Sequence, residues 1–271
     1  MTSDTIETAP AGLAFDRLAE AYDTVFTFSA IGRSQRAEVW RRALEVFSPG
    51  SHILELNCGT GEDALFLANA GMAVTACDAS PRMIAMANQK ISSSSPGASI
   101  ELLTLPTEEL DALAPSAHFD GVFSNFSGLN CVRDLHSVRQ QLAIHMQTGA
   151  PLLLCLSTRF CLWESIYFLF RANPRKAARR WKGISQARID GATFPVYYPT
   201  LHQLRRAFAP GFRLIAVTGI GIAVPPSFLE PWISGHPRLL KTMKAIDRIL
   251  RNVPGFRVIG DHMLLHWEKV S

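Results

Sequence analysis

No pair of cysteines in this sequence has the C-x-x-C spacing, and the five present, Cys58, Cys77, Cys131, Cys155 and Cys161, are an odd number. Four of them lie in or beside apolar runs. A disulfide framework and a zinc site are therefore not expected, no metal is expected, and a reducing cytoplasm is the expected setting. Long apolar runs are missing too. The longest, Phe160 to Phe170, has 11 residues and contains Glu164, too few to cross a bilayer. Met1-Thr2-Ser3-Asp4-Thr5 has neither a basic nor an apolar stretch, so no secretory signal is expected. Charge is sparse, at 18% of residues with a net value of +4. A mild, scattered excess of that size does not call for a nucleic-acid partner. Internal repeats are absent, and the one biased tract is the loop Ser93-Ser94-Ser95-Pro96-Gly97.

What is present is apolar sequence arranged in a rhythm. Hydrophobic residues make up 48% of 271, ample for one large α/β domain. Residues 1–10 are expected to be a disordered tail, and 11–271 a single domain. Leu13, Leu18, Ala21, Tyr22, Val25 and Phe26, then Val39, Trp40, Leu44 and Phe47, recur at helical spacing. Ser48-Pro49-Gly50 ends that helical segment. From Ser51 apolar strands alternate with helical patterns. Strands are predicted at 52–56, 73–77, 100–103, 119–124 and 151–156, with helices between them. Such alternation predicts a doubly wound, mainly parallel sheet. After Leu156 the rhythm breaks. A helix is predicted over 160–181, an extended turn over 195–199, and a helix over 200–208 with Thr200 as its N-cap. A strand at 212–217, a long helix at 237–251 and a final strand at 258–267 follow.

The stretch Leu54-Glu55-Leu56-Asn57-Cys58-Gly59-Thr60-Gly61 places a strand, a tight glycine turn and a helix start in order. Glycine lets the backbone approach a ligand that a Cβ would exclude. The free N–H groups of the following helix favour an anionic group. Asp78 follows at the end of the next strand, where its carboxylate can accept hydrogen bonds from ribose hydroxyls. A nucleotide-type ligand follows, but Gly59-x-Gly61-x-x-Ala64 is also compatible with a dinucleotide fingerprint. Glu55, mid-strand among apolar residues, would be costly without a partner.

These residues resemble the class I S-adenosylmethionine (SAM)-dependent methyltransferase family. Val74 to Met83, Phe119 to Phe126 and Gly149 to Leu154 continue the match in order. Phe15-Asp16-Arg17-Leu18-Ala19-Glu20-Ala21-Tyr22-Asp23 looks like the N-terminal helix of its small-molecule, ubiquinone-biosynthesis-like branch. The resemblance covers about residues 11–157. It implies a Rossmann-like seven-stranded sheet with the last strand antiparallel, N-terminal helices, and a helical cap inserted after strand five. The cofactor core would span about 48–157, the insert 158–198, and a C-terminal sheet and helix 199–271.

The resemblance also implies SAM as cofactor and S-adenosylhomocysteine as product. Glu55 and the backbone of Gly59 and Gly61 would surround its methionine part, with Asn57 and Cys58 in the same loop. Asp78 would bind the ribose, and Ala79 and Met83 the adenine. Ser124, Asn125 and Phe126 would end the fourth strand beside the sulfonium, and Tyr22 would close over the methionine end. Family members often carry an aspartate after the third strand. Here the place reads Pro106-Thr107-Glu108, so Thr107 or a backbone group would take that contact. The Asn-Pro-Pro-Tyr-type motif of base and glutamine methylation is absent: the place reads Ser124-Asn125-Phe126-Ser127.

Methyl transfer from a sulfonium requires alignment and exclusion of water, and a base only where the acceptor must lose a proton. Candidate catalytic residues are Asn125, Tyr22 and His136, the last near a helix start. The regions expected around the acceptor, the N-terminal helices, the Asn125 to Cys131 loop and the insert from Phe160 to Tyr198, are rich in Phe, Tyr, Trp and Leu. The expected partner is thus a small or medium apolar molecule methylated on O, N or C, with no nucleic acid. Trp163, Ile166, Tyr167 and Phe170, followed by Arg171, Arg175, Lys176, Arg179, Arg180 and Lys182, make 160–182 a lid with a solvated basic end, a dimer contact, or a contact to a membrane or lipid-like substrate. Oligomeric state stays open. The rival readings are an NAD(P)-dependent oxidoreductase and a non-catalytic scaffold of the same fold.

Overall fold

The computed structural model describes residues 10–95 and 97–270. The expected disordered tail lies outside these residues except at Pro10, which opens the first helix. Parallel strands β1 (His52–Leu56), β2 (Ala73–Asp78) and β3 (Ile100–Thr104) form one half of a sheet. Strands β4 (Gly121–Ser124) and β5 (Pro151–Ser157) extend it on the other side of β1. Helices α3 (Glu62–Asn69), α4 (Pro81–Ser94) and α5 (Leu135–His145) alternate with these strands in the chain. Both faces of the sheet are covered, which is why β5 can be the apolar run Leu152 to Leu156, buried throughout. The strand order reverses at β1, so the loops after β1 and β4 face each other across a crevice at the carboxyl ends of the strands.

The far edge is formed by β8 (Phe212–Ile220) and the last strand, β9 (His262–Lys269). β9 lies antiparallel between β5 and β8, with Ser157 paired to His262. The sheet has seven strands, with the last antiparallel, as the resemblance implies. Helices α8 (Leu201–Phe208) and α10 (Pro237–Leu250) flank this half, with short α9 (Glu230–Ile233) before α10. Thr200 and Gln203 form a reciprocal capping box at the start of α8.

The N-terminal helices are α1 (Pro10–Tyr22) and α2 (Ala30–Val46), joined by one π-helical turn over Asp23–Thr27. Asp16 of α1 accepts hydrogen bonds from the Ser80 hydroxyl and Arg82 N–H at the start of α4. The first N–H groups of α2 are capped from 200 residues away. Glu230 accepts from Ala30 N–H at 2.7 Å and from Ile31 N–H at 2.9 Å.

The insert after β5 differs from the single helix predicted there. It forms α6 (Leu162–Phe170) and α7 (Pro174–Ala177), separated by a break at Ala172, whose φ is +52°. Pro174 cannot continue α6, because its ring removes an N–H donor and disfavours a helical residue before it. The extended turn expected at 195–199 is instead the end of a hairpin, β6 (Ile184–Ile189) with β7 (Ala192–Tyr197). Its turn residues Asp190 and Gly191 have φ of +43° and +83°, the geometry that an Asp-Gly pair supports. The basic end of the insert is not wholly solvated. Arg180 is buried, and its guanidinium pairs with Glu164 and with Asp261 at the start of β9, each at 2.9 Å. That ion-pair chain clamps the insert onto the sheet.

At the opposite end, Asp247 of α10 accepts hydrogen bonds from Ala223 and Val224 N–H. Burial nevertheless pushes its carboxyl up to about 6. A folded value above the unfolded one means stability that is full below about pH 4 and is lost as pH rises through 6. Asp247→Asn should flatten this loss. Between pH 4 and pH 8 its urea stability is expected to gain on the order of 1–2 kcal/mol relative to the parent. Parallel pH profiles for the two proteins would remove Asp247 as the titrating group.

Candidate active site

A cavity of about 570 Å³ lies in the crevice between the β1 and β4 loops. Its floor is built by residues that end parallel strands. Asn57 and Gly59 follow β1, Asp78 and Ala79 end β2, and Asn125 to Gly128 follow β4. Met83 of α4 and Tyr22 of α1 close two sides.

The glycine loop is held by backbone contacts. Cys58 N–H donates to Cys77 O at 2.9 Å, and Gly61 N–H to Cys58 O at 3.0 Å. Gly59 has φ +55°, and a Cβ there would meet nothing nearer than Tyr22 at 3.9 Å. Its open side is therefore the cavity. Gly61 is needed for a different reason: at φ +75°, its Cβ would press on Ala87 of α4 at 2.9 Å. Asn57 sits at φ +56°, a region Asn tolerates better than most residues.

Asp78 accepts from Gly59 N–H through Oδ2 and from Ser80 N–H through Oδ1, each at 2.9 Å. Ser80, not Asp78, caps α4, accepting from Met83 N–H. Burial raises the Asp78 carboxyl above its ordinary value despite these two donors. Each oxygen keeps a lone pair for a further donor. Glu55 is 1% exposed and its Oε2 has no partner. Burial, with Asp63 nearby, pushes its carboxyl well above the usual range.

The β4 loop is fixed from beneath. Asp63, in the first turn of α3, accepts from Arg36 Nη1 and Trp40 Nε1, each at 2.5 Å, and from Asn125 Nδ2 at 3.2 Å. Asn125 Oδ1 accepts from Phe126 N–H. Phe126 and Ser127 both take positive φ, +45° and +68°, uncommon for such residues and a sign of a backbone held by its surroundings. The Arg36 guanidinium lies 4.8 Å from the Phe126 ring centre. On the other side, Asp23 accepts from the Thr60 hydroxyl at 2.6 Å and pairs with Lys90 at 2.7 Å. Burial would raise the Asp23 carboxyl, but the hydrogen bonds from Lys90 and Thr60 hold it below its ordinary value. The π-turn is thus tied to the glycine loop.

Of the residues singled out in the sequence, Tyr22, Asn57, Gly59, Asp78, Ala79, Met83, Asn125 and Phe126 meet in this cavity. Glu55, Cys58, Gly61 and Ser124 lie in the surrounding shell rather than on its surface. Thr107 is buried and donates to Asn57 Oδ1, so its hydroxyl serves the loop. His136 does not reach the cavity. It is exposed on α5 beside Arg139 and lines a separate groove with Arg159 and Gln203. Burial pushes the Tyr22 hydroxyl up to about 12, so at neutral pH it is a donor rather than a base.

The upper wall comes largely from the regions expected around the acceptor, the N-terminal helices and the insert, though the sequence did not single out its residues for that role. Phe15 of α1, Ala187 and Ile189 of β6, and Phe194 and Val196 of β7 line the cavity, with Arg179 and Ser227. The Phe15 and Phe194 rings lie 5.8 Å apart. The Asp190-Gly191 turn was the available signal for this hairpin.

A methyltransferase-domain family profile matches residues 53–149. The chain is 32% identical over 236 residues to the demethylmenaquinone methyltransferase of Symbiobacterium thermophilum, covering 78% of this chain and 89% of that protein. It is 27% identical over 163 residues to the ubiquinone/menaquinone biosynthesis C-methyltransferase UbiE of Geotalea daltonii, covering 58% and 67%. Other curated relatives are matched over 38% and 59% of their length. In fold it is similar to a SAM-dependent methyltransferase from Mesorhizobium loti, with a TM-score of 0.54 at 17% identity over 87% of this chain and 98% of that one. The glycine loop, the acidic residue that ends β2 and the antiparallel last strand are accounted for together: the chain belongs to the class I SAM-dependent methyltransferases, enzymes whose methyl donor is S-adenosylmethionine.

Proposed function

We propose that this enzyme methylates an apolar, ring-bearing acceptor of the quinol type, on carbon. The observation that carries the reading is the two-part cavity. A polar floor at Gly59 and Asp78 meets an upper wall of Phe15, Phe126, Ile189, Phe194 and Val196. The activities named for the curated relatives, demethylmenaquinone and ubiquinone/menaquinone methylation, agree with such a wall.

The residues fit the donor. Gly59 leaves room that a Cβ would fill, and the unpartnered Oε2 of Glu55 suits the ammonium of a methionine group. Asp78 would take ribose hydroxyls on its remaining lone pairs, with Ala79 and Met83 against the adenine. S-adenosylmethionine supplies a methyl group already activated on a sulfonium, with a neutral leaving group. The chain's task is to orient the acceptor and keep water out. Tyr22 and the Phe126 loop would do this from two sides. Asn125 acts as a positioning residue, because its amide is committed to Asp63 and to Phe126 N–H. Arg179, which lines the cavity and is held by Glu164, would stabilise an acceptor oxygen as it loses its proton. A role for His136 as base finds no support in its position.

The test supplies purified enzyme with methyl-labelled SAM and a soluble, short-tailed quinol lacking the ring methyl. Label is expected in the organic extract, on a ring carbon by mass spectrometry. Label found only in protein or nucleic acid would overturn the reading. Calorimetric titration with S-adenosylhomocysteine and with NADH separates the oxidoreductase rival, since only the first is expected to bind.

A further inference from the structure

We infer that the outer face of residues 159–189 docks on an anionic lipid surface. The segment is strongly basic. This segment holds eight Arg and Lys against one acid, Glu164, a net +7. The whole chain is only +4, so the remainder is net negative. Glu164 is buried against Arg179 and Arg180 and offers nothing outward. Arg171, Arg175, Lys176, Lys182 and Arg188 are exposed, with no acidic partner among the described residues.

Apolar side chains are exposed in the same segment. Leu162, Ile166, Leu169 and Phe170 recur at spacings of four, three and one along α6, which puts them on one stripe. They are 41%, 40%, 56% and 88% exposed. Trp181 adds a half-exposed indole beside Phe160, their rings 6.2 Å apart. A buried stripe would be ordinary; an exposed one, in a segment with five exposed cations that lack an acidic partner, matches an amphipathic element lying in a lipid interface. Lipid fits better than nucleic acid, because aliphatic Leu162, Ile166 and Leu169 gain from hydrocarbon and have nothing to stack on or bond to in a phosphate backbone.

The same segment reaches the cavity with its other side. Along β6 the exposed residues Ile184, Gln186 and Arg188 alternate with Ala187 and Ile189, which line the cavity. Docking this face would bring the acceptor wall to the bilayer. The inference needs no particular acceptor, so it can fail while the quinol reading stands, and the reverse.

The test is flotation of the whole chain with vesicles of phosphatidylcholine containing about 30% phosphatidylglycerol, at about 50 mM and about 500 mM salt. Most of the protein is expected to float at low salt. At least about threefold less should float at high salt or with pure phosphatidylcholine. A Leu169→Ser/Phe170→Ser variant and an Arg175→Glu/Lys176→Glu variant should each reduce flotation about fivefold or more while binding S-adenosylhomocysteine as the parent does. The charge variant changes only exposed residues, so it remains a valid test if the apolar one misfolds. No flotation at low salt, equal flotation with neutral vesicles, or charge-variant flotation equal to the parent's would overturn the inference. So would a duplex oligonucleotide that binds more tightly than the anionic vesicles do.

Discussion

Replacing Asp63 by alanine is expected to cost about 3–5 kcal/mol of stability, the range for removing one partner of a buried ion pair. Asp63 is 5% exposed and Arg36 is 5% exposed, so the guanidinium would be left inside the protein without its counter-charge. Arg36 Nε already has no partner. Trp40 Nε1 and Asn125 Nδ2 would lose their acceptor as well. Urea unfolding should show the loss as a lower midpoint with little change in slope. The damage should reach the site. Asn125 holds Phe126 N–H, and the positive φ values of Phe126 and Ser127 need that anchor. Affinity for S-adenosylhomocysteine should fall with stability. A cost below about 1 kcal/mol would show that the cluster is solvated enough to do without its charge. Asp63→Asn is expected to fall between parent and alanine, because an amide oxygen can still accept from Trp40.

Asp78→Ala is expected to weaken S-adenosylhomocysteine binding tenfold or more, about 1.4 kcal/mol or above for charge-assisted hydrogen bonds to ribose. Calorimetry reads this directly, and an unchanged dissociation constant would take Asp78 out of the site. Stability separates a binding role from a structural one. Burial raises the Asp78 carboxyl above its ordinary value. Its ionised form therefore destabilises the empty protein as pH rises through the folded value. Asp78→Asn keeps one acceptor for the Gly59 and Ser80 N–H groups, so it should bind the product more weakly than the parent while losing less stability than Asp78→Ala.

The sequence carried the parts of this structure that depend on near neighbours. Alternation of buried strands such as Leu152 to Leu156 with amphipathic helices requires only the periodicity of each segment. The Thr200–Gln203 capping box and the Gly59–Gly61 turn are set within a few residues. The break between α6 and α7 was also local, signalled by Pro174, but the apolar residues before it and the basic ones after it were read as one helix. The β6–β7 hairpin was signalled by Asp190-Gly191, yet its strands alternate weakly because neither face is fully buried.

By itself, then, the sequence determined the polar floor of the cavity. The glycine loop and Asp78 lie at the ends of two neighbouring strands, and the topology of a doubly wound sheet brings such ends together. Tertiary structure alone decided the rest. Asp63 meets Arg36 and Asn125, Glu230 caps α2, Arg180 pairs with Asp261, and Phe15 meets Phe194 across nearly 180 residues. Tertiary structure also placed His136 outside the cavity and the apolar stripe of α6 on the surface. The physical reason is the same in each case. A buried charge or an aromatic wall takes its meaning from the partner that folding brings to it, and no local pattern names that partner.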